Sequence, residues 1–203
     1  MQKLKIGVLA SGSGSNLQAI IDEATAGTLP AEVVMVISDK ADAYALARAD
    51  AAGITTAWVN PKDFASREEY DAKIVKLLHL AEADTVALAG YLRIVTPVLL
   101  NAFPGRVLNI HPALLPAFPG LHAQRQAWEY GVKVAGCTVH FVDEGLDSGP
   151  IILQAPVPVL EDDDAGTLAA RILEQEHIIY PLALKLLAEG KLMVEGRRVR
   201  IAD

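Results

Sequence analysis

The sequence predicts an α/β fold: a doubly wound, mostly parallel sheet, with antiparallel strands and a long helix in the C-terminal part. Three observations support this prediction. Apolar runs of strand length alternate with helix-length segments through the first half of the chain. The connections between them are short, as is typical of right-handed β-α-β units. Beyond residue 130, two apolar runs follow each other directly and precede one long helical segment.

Elements of the first half follow from local signals. The predicted strands are runs of β-branched and aliphatic residues, typical of strands covered on both faces. They are residues 4–10, 31–39, 55–59, 84–90 and 106–110. The predicted helices carry a closing glycine, a capping-box spacing or an early proline. They are residues 16–27 (closed by Gly27), 42–53 (closed by Gly53), 66–81 (with the capping-box spacing of Ser66 and Glu69) and 96–103 (with Pro97 in its first turn).

The C-terminal half has a different pattern. Residues 133–142 and 149–159 are predicted as two strands, joined by a short acidic stretch and therefore antiparallel. A long helix over 165–190 follows, and Pro181 is expected to bend it. The chain then finishes as a small hairpin that turns at Glu195-Gly196. No repeat, low-complexity segment or linker is visible, so we expect a single domain over residues 1–203.

The composition disfavours several classes of function. The 203 residues carry a formal net charge of −7 at pH 7, whereas proteins that bind nucleic acid are usually basic. Cys137 is the only cysteine, so these residues form no intrachain disulfide and a reducing compartment is favoured. There is no signal-peptide pattern and no apolar run of about 18 residues. We therefore expect a cytoplasmic protein without a nucleic-acid or membrane partner.

A glycine-rich loop, residues 10–16, joins the first predicted strand to the first helix. Small residues let the backbone approach an anion, and N–H groups at the helix start can donate to it. The dinucleotide fingerprint is incomplete because Leu17 stands where its third glycine would be, which argues against a Rossmann oxidoreductase. We predict that Gly14, Ser15 and Asn16 hold a single phosphate, with Asn16 also a candidate helix cap. A simple tight turn is the alternative.

Two hydrogen-bonding side chains, Asn109 and His111, lie at the end of the strand predicted over 106–110. Alternate strand residues point the same way, so these two should share a face while Ile110 points into the core. Pro112 ends the strand at the sheet edge where such folds bind ligands. A carboxamide can donate to a developing oxyanion, and an imidazole can carry a proton. Because no nucleophile elbow or paired cysteine is visible, we expect catalysis without a covalent intermediate.

The acidic stretch 143–150 lies at the end of the next predicted strand. A carboxylate brought near His111 would stabilise its imidazolium form. Asp147 is the best candidate, because Gly145 and Gly149 bracket it in a loop able to fold over a site. A solvent-exposed acidic turn is the alternative interpretation.

Histidine spacing does not predict a metal site. The five histidines form no H-x-x-H or H-E-x-x-H motif and have no cysteine partner. His79, within a helix, and His140, within a strand, are expected to be structural. Cys137 is expected to be a small buried residue rather than a reactive thiol.

Seven separated segments resemble, in order, the blocks of the phosphoribosylglycinamide formyltransferases, folate-dependent enzymes of purine synthesis. They are SGSGSNLQAII, ISDKADAYALARA, FASREEYD, LAGYLRIV, LNIHPALLPAFPGLHA, GCTVHFVDEGLDSGPIILQ and EQEHIIYPL. The similarity extends over nearly all of the 203 residues. So many matching segments are more specific than any single motif.

This resemblance implies transfer of the formyl group of 10-formyltetrahydrofolate to the primary amine of phosphoribosylglycinamide, by direct attack and without a metal. It implies small-molecule substrates only and a monomer or homodimer. The implied catalytic residues are Asn109, His111 and Asp147. The implied ribotide-binding residues are Gly14, Ser15, Asn16, Leu173, Glu174, Gln175 and Glu176. The implied folate-binding residues are Arg67, Leu92, Arg93, Ile94, Val95, Asn109, Asp143, Glu144, Gly145, Leu146 and Asp147.

Other functions remain open at this point. Formyltetrahydrofolate hydrolases, and formyltransferases acting on methionyl-tRNA or sugar nucleotides, share the Asn-x-His and Asp residues. The hydrolases carry an additional N-terminal domain, and the enzymes acting on methionyl-tRNA or sugar nucleotides normally carry a C-terminal extension. Because this chain begins at its first strand and stops after the final hairpin, we expect the small ribotide acceptor. A folate- or nucleotide-binding module without catalysis is the non-enzymatic alternative.

Overall fold

The computed structural model describes residues 3–202. These residues form nine strands and six α-helices. The chain divides into two compact units, one ending at Asn109 and the other beginning at Ile110. The single domain expected over 1–203 therefore stays a prediction.

The first unit contains a parallel sheet. Its strands are β1 (Leu4–Ala10), β2 (Ala31–Ser38), β3 (Thr56–Trp58), β4 (Thr85–Leu88) and β5 (Val107–His111), whose last two residues belong to the second unit. They lie in the order β3-β2-β1-β4-β5, and each neighbouring pair is parallel. The chain order reverses between β1 and β4. The carboxyl ends of those two strands therefore flank the crevice where open α/β sheets bind ligands.

Helices of the first unit follow the predicted signals closely. They are α1 (Ser15–Ala26), α2 (Tyr44–Ala51), α3 (Arg67–Leu80) and α4 (Pro97–Ala102), with a 3₁₀ turn at Pro61–Asp63. Gly27 closes α1 with a left-handed φ of 79°. The Ser66 side chain accepts the N–H of Glu69 at 3.1 Å, and Pro97 opens α4 as predicted. Helix α2 ends two residues before Gly53, which was predicted to close it.

The second unit contains antiparallel strands. Strand β6 (Val134–Phe141) pairs antiparallel with β7 (Ile151–Pro158), as predicted. The last two strands, β8 (Leu192–Glu195) and β9 (Arg198–Ile201), form an antiparallel hairpin. The order in this unit is β6-β7-β9-β8. The hairpin prediction was wrong by one residue: Glu195 pairs with Arg198, so the turn lies at Gly196-Arg197.

Two helices complete the second unit. Helix α6 (Ala165–Ala188) is the predicted long C-terminal helix, and Pro181 lies inside it. That Pro181 bends this helix stays a prediction. Asp164 begins it with a capping box, because its side chain and that of Thr167 each bind the other residue's backbone. Helix α5 (Ala123–Tyr130) has no counterpart in the prediction. The predicted class, a mostly parallel α/β sheet with antiparallel C-terminal strands and a long helix, is confirmed.

Candidate active site

His111 ends β5 and has only 4% of its surface exposed. Its Nε2 lies 2.8 Å from the carbonyl oxygen of Phe118. Because a carbonyl oxygen only accepts hydrogen bonds, this nitrogen carries a proton and donates it. The other ring nitrogen, Nδ1, lies 3.4 Å from Oδ2 of Asp147. A carboxylate also only accepts, so each ring nitrogen of His111 faces an acceptor oxygen.

The Asp147 carboxylate is held by three groups. Besides His111, the N–H of Gly120 donates to Oδ2 at 2.8 Å, and Nε2 of His140 lies 3.7 Å from Oδ1. Burial by itself would raise the pKa of the Asp147 carboxyl, but His140, the Gly120 N–H and the charge of His111 together hold that pKa below its ordinary value. Asp147 is therefore ionised at neutral pH.

His140 belongs to this centre, although the sequence predicts only a structural role for it. It is almost completely buried near the end of β6, and its Nδ1 donates to the carbonyl oxygen of Phe141 at 2.8 Å. The available signal was that His140 lies at the same strand end as the loop carrying Asp147. The contributions of Phe118 and Gly120 come from backbone atoms, which leave no side-chain signal in a sequence.

The loop over 143–149 is shaped by internal hydrogen bonds. Oδ1 of Asp143 accepts the N–H of Gly145 at 3.1 Å and the hydroxyl of Ser148 at 2.6 Å. A side chain at Gly149 would meet the carbonyl oxygen of Phe141. Asp147 itself adopts a positive φ of 48°, which Asp tolerates better than most residues. The loop thus presents Asp147 inward, while Glu144 and Leu146, both predicted folate-binding residues, are exposed.

The glycine-rich loop leads directly into α1, and its backbone groups lie at the start of this helix. Gly14 is the N-cap residue with a φ of 71°, and a Cβ there would lie 2.6 Å from Cα of Ala45. Helix α1 therefore starts at Ser15 and includes Asn16, which is buried. The prediction that Asn16 caps the helix was wrong, because the cap position belongs to Gly14. Arg48, which the sequence did not single out, donates to the carbonyl oxygen of Ser13 at 2.8 Å and brings a positive charge to this loop.

The segment that follows β4 lies beside the glycine loop. The N–H of Leu92 donates to the hydroxyl of Ser11 at 3.0 Å. This bond joins the carboxyl ends of β1 and β4, the two strands that flank the predicted crevice. Leu92 and Ile94 are exposed, and Arg67 is exposed in the first turn of α3. These positions leave three of the predicted folate-binding side chains accessible.

The predicted ribotide-binding residues of α6 differ in exposure. Glu176 is buried, Leu173 and Gln175 are half-buried, and Glu174 is exposed.

Burial, reinforced by the nearby charge of Glu176, raises the pKa of the Cys137 thiol to about 12. Cys137 is therefore protonated at neutral pH, which agrees with its predicted role as a buried small residue.

Neither a metal-binding cluster nor a membrane-spanning helix occurs within residues 3–202. No group of three or more His, Cys, Asp or Glu side chains there could hold a metal ion. Across that same range, no helix combines the length and the apolar character needed to span a membrane.

Comparison with known proteins places these residues in a family. Residues 4–184 match the family described as formyl transferase. The chain belongs to the formyl transferase family. The matched range contains every predicted site residue of both units.

Individual formyl transferases are similar over nearly the whole chain. The phosphoribosylglycinamide formyltransferase of Escherichia coli is 48% identical over 93% of this chain and 89% of its own length. A glycinamide ribonucleotide transformylase from Symbiobacterium toebii is 58% identical, with a TM-score of 0.98 over 100% of this chain and 95% of its own. The predicted resemblance to the phosphoribosylglycinamide formyltransferases is confirmed.

Some relatives are much longer. The trifunctional purine biosynthetic protein adenosine-3 of Drosophila melanogaster is 48% identical over 95% of this chain, which spans 14% of that relative's length. The chain therefore corresponds to a small part of these multifunctional relatives.

Proposed function

We propose that this chain transfers the formyl group of 10-formyltetrahydrofolate to the primary amine of phosphoribosylglycinamide, in purine biosynthesis. The observation that carries the proposal is the contact of 3.4 Å between Nδ1 of His111, at the end of β5, and the Asp147 carboxylate. Asn109 lies two residues before His111 on the same strand. Relatives named for this reaction, similar over most of their length, support the choice of substrates.

The reaction requires stabilisation of one oxyanion and movement of one proton. The amine nitrogen attacks the formyl carbon, and the carbonyl electrons move onto oxygen to give a tetrahedral intermediate. The Nε2–H of His111 and the side-chain amide of Asn109 donate to that oxygen. Because Nε2–H is bound to the Phe118 carbonyl, the formyl oxygen takes the place of that carbonyl. Each such donor is typically worth about 2.7–4 kcal/mol in the transition state.

Collapse of the intermediate completes the transfer. The bond between the formyl carbon and N10 of the folate breaks, and its electrons go to N10. The proton that the attacking amine loses is delivered to N10, so the products are the N-formyl ribotide and tetrahydrofolate. Asp147, ionised beside His111, keeps the imidazole charged and orients the water that carries this proton.

Substrate binding is assigned by the local chemistry of each element. The backbone of Gly14, Ser15 and Asn16 holds the ribotide phosphate at the start of α1, and residues 173–176 of α6 contact the glycinamide part. Arg67 and residues 92–95 bind the folate, together with residues 143–147. We also propose that the protein acts in the cytoplasm as a monomer or homodimer, without a metal ion or a nucleic-acid partner.

One assay tests this proposal. The protein is incubated with 10-formyltetrahydrofolate, with and without phosphoribosylglycinamide, and both tetrahydrofolate and formyl ribotide are measured. We expect equal amounts of the two products, formed only when the ribotide is present. Deformylation that ignores the ribotide would instead indicate a hydrolase, and no turnover under either condition would indicate a binding module.

A further inference from the structure

The proposed folate segment alternates between held and exposed side chains. Residues 91–96 have no helix or strand, yet exposed and less exposed side chains alternate from residue 91 to residue 95. Leu92 and Ile94 are 57% and 54% exposed. Tyr91 and Arg93 are half-buried, and Val95 is buried. In an irregular segment, such a pattern requires that the less exposed residues be held by contacts with neighbouring elements.

Tyr70 of α3 fixes the first half of the segment. The hydroxyl of Tyr91 donates to the hydroxyl of Tyr70 at 3.2 Å. The guanidinium carbon of Arg93 lies 4.8 Å from the centre of the Tyr70 ring, a cation–π contact. Tyr70 itself is 1% exposed, so it is a rigid support for both residues.

Asp71, the next residue of α3, fixes the second half. Its Oδ2 accepts the backbone N–H of Thr96 at 2.6 Å, and the side chain is 3% exposed. Burial raises the pKa of the Asp71 carboxyl, against the hydrogen bond from Thr96 and the charge of Arg93. A backbone N–H outside helices and strands still needs a hydrogen-bond acceptor, and the buried Asp71 carboxyl group supplies one for Thr96. Such a hydrogen bond is strong and directional.

We propose that Asp71 is a positioning residue for folate binding: by holding the N–H of Thr96 it sets the backbone of residues 92–95 against the formyl donor. This inference rests on the proposed function. Helix α3 then contributes to two of the proposed folate contacts, because Arg67 lies one turn before Asp71 on the same helix. Ser11 holds the segment from the other end through the N–H of Leu92.

Three variants separate this role from general stability. Asp71→Ala removes the acceptor, and Asp71→Asn keeps an acceptor oxygen without the charge. Leu78→Ala is the control: Leu78 is fully buried on α3, about 10 Å further along the helix and against Gly7 of β1. Its loss leaves a cavity there. Tetrahydrofolate is titrated into each protein, kcat and KM are measured, and amide hydrogen exchange is followed over residues 91–96.

We expect Asp71→Ala to weaken tetrahydrofolate binding and raise the KM for the formyl donor by about tenfold or more, with kcat nearly unchanged. Amide exchange over residues 91–96 should become faster in this variant only. Asp71→Asn should restore both quantities to near the wild-type values. Leu78→Ala should lower the melting temperature while leaving the affinity intact.

Several results would overturn the proposal. These are wild-type affinity in Asp71→Ala, an Asp71→Asn variant as weak as Asp71→Ala, or equal loss of affinity in Leu78→Ala. Failure of the wild-type protein to bind tetrahydrofolate would overturn the proposed function, and the folate role of Asp71 with it. In that case, faster amide exchange over residues 91–96 in Asp71→Ala would still show that Asp71 holds this segment. The exchange measurement does not depend on folate, so it separates failure of the positioning role from failure of the proposed function.

Discussion

The Asp147 carboxylate lies between two imidazoles: its Oδ2 is 3.4 Å from Nδ1 of His111, and its Oδ1 is 3.7 Å from Nε2 of His140. The far nitrogen of each ring donates to a backbone carbonyl, of Phe118 and Phe141 respectively. Each ring therefore has an acceptor on both sides. One ionised carboxylate thus orders two imidazoles, and only His111 ends the strand that carries Asn109.

Replacement of His111 by alanine should reduce turnover by roughly two to three orders of magnitude, because one oxyanion donor is lost. The dissociation constants of both substrates should change little, since the glycine loop and the 92–95 segment are untouched. The measurement is kcat together with equilibrium binding. His79→Ala is a matched control on an exposed face of α3, and it should retain wild-type turnover. Near wild-type turnover in the His111 variant would remove this residue from the mechanism.

Replacement of Asp147 by asparagine should lower kcat more strongly at pH 8 than at pH 6. The pKa of Asp147 is held below its ordinary value, so the wild-type residue carries its negative charge beside His111 at both pH values. Asparagine removes that charge but tolerates the positive φ at this position. The ratio of variant to wild-type kcat at the two pH values is the readout. A ratio independent of pH would contradict the coupling of this carboxylate to His111.

Gly14→Ala should weaken ribotide binding and destabilise the protein, whereas Gly12→Ala should do neither. A Cβ at Gly14 meets the backbone of Ala45 and the φ of 71° disfavours alanine, while a Cβ at Gly12 meets nothing within 4 Å. We expect a loss of about 1–3 kcal/mol in the free energy of unfolding for Gly14→Ala, and a change within about 0.5 kcal/mol for Gly12→Ala. Denaturant unfolding and ribotide titration measure the two effects. Equal behaviour of the two variants would show that the shape of this loop is not critical.

Stability should depend on Asp163 at neutral pH but not in acid. The guanidinium of Arg171 binds both carboxylate oxygens, at 2.6 and 2.8 Å, and holds the pKa of Asp163 well below its ordinary value. A carboxyl group with a depressed pKa stabilises the fold above its unfolded-state pKa of about 4, and this contribution is lost as the pH falls through the folded-state pKa.

Melting temperatures of Asp163→Asn and wild type test this dependence. The difference should be largest near pH 7 and should shrink progressively below pH 4. The adjacent and exposed Asp162 provides the control, and Asp162→Asn should melt close to wild type throughout. A constant difference between Asp163→Asn and wild type down to pH 2 would contradict the assigned role of the Arg171 pair.

Local signals in the sequence were sufficient where one residue decides the backbone. Gly27, Ser66 and Pro97 mark helix ends in the structure as predicted. The signals were insufficient for helix α5, where His122 precedes the helix with a φ of 60° and no side-chain cap. Neither a glycine, nor a proline, nor a capping side chain stands at the start of α5, so this start depends on tertiary packing, which local propensity does not contain.

For the active site, the sequence by itself determined that Asn109 and His111 share one face of a strand that ends at Pro112, and that Asp147 lies in a loop between glycines. These are consequences of chain geometry over a few residues. Only the tertiary structure decided that His140 and the backbone of Phe118 and Gly120 complete the surroundings of that pair. Contacts of this kind join distant positions through the packing of whole elements. No short stretch of sequence encodes such a contact.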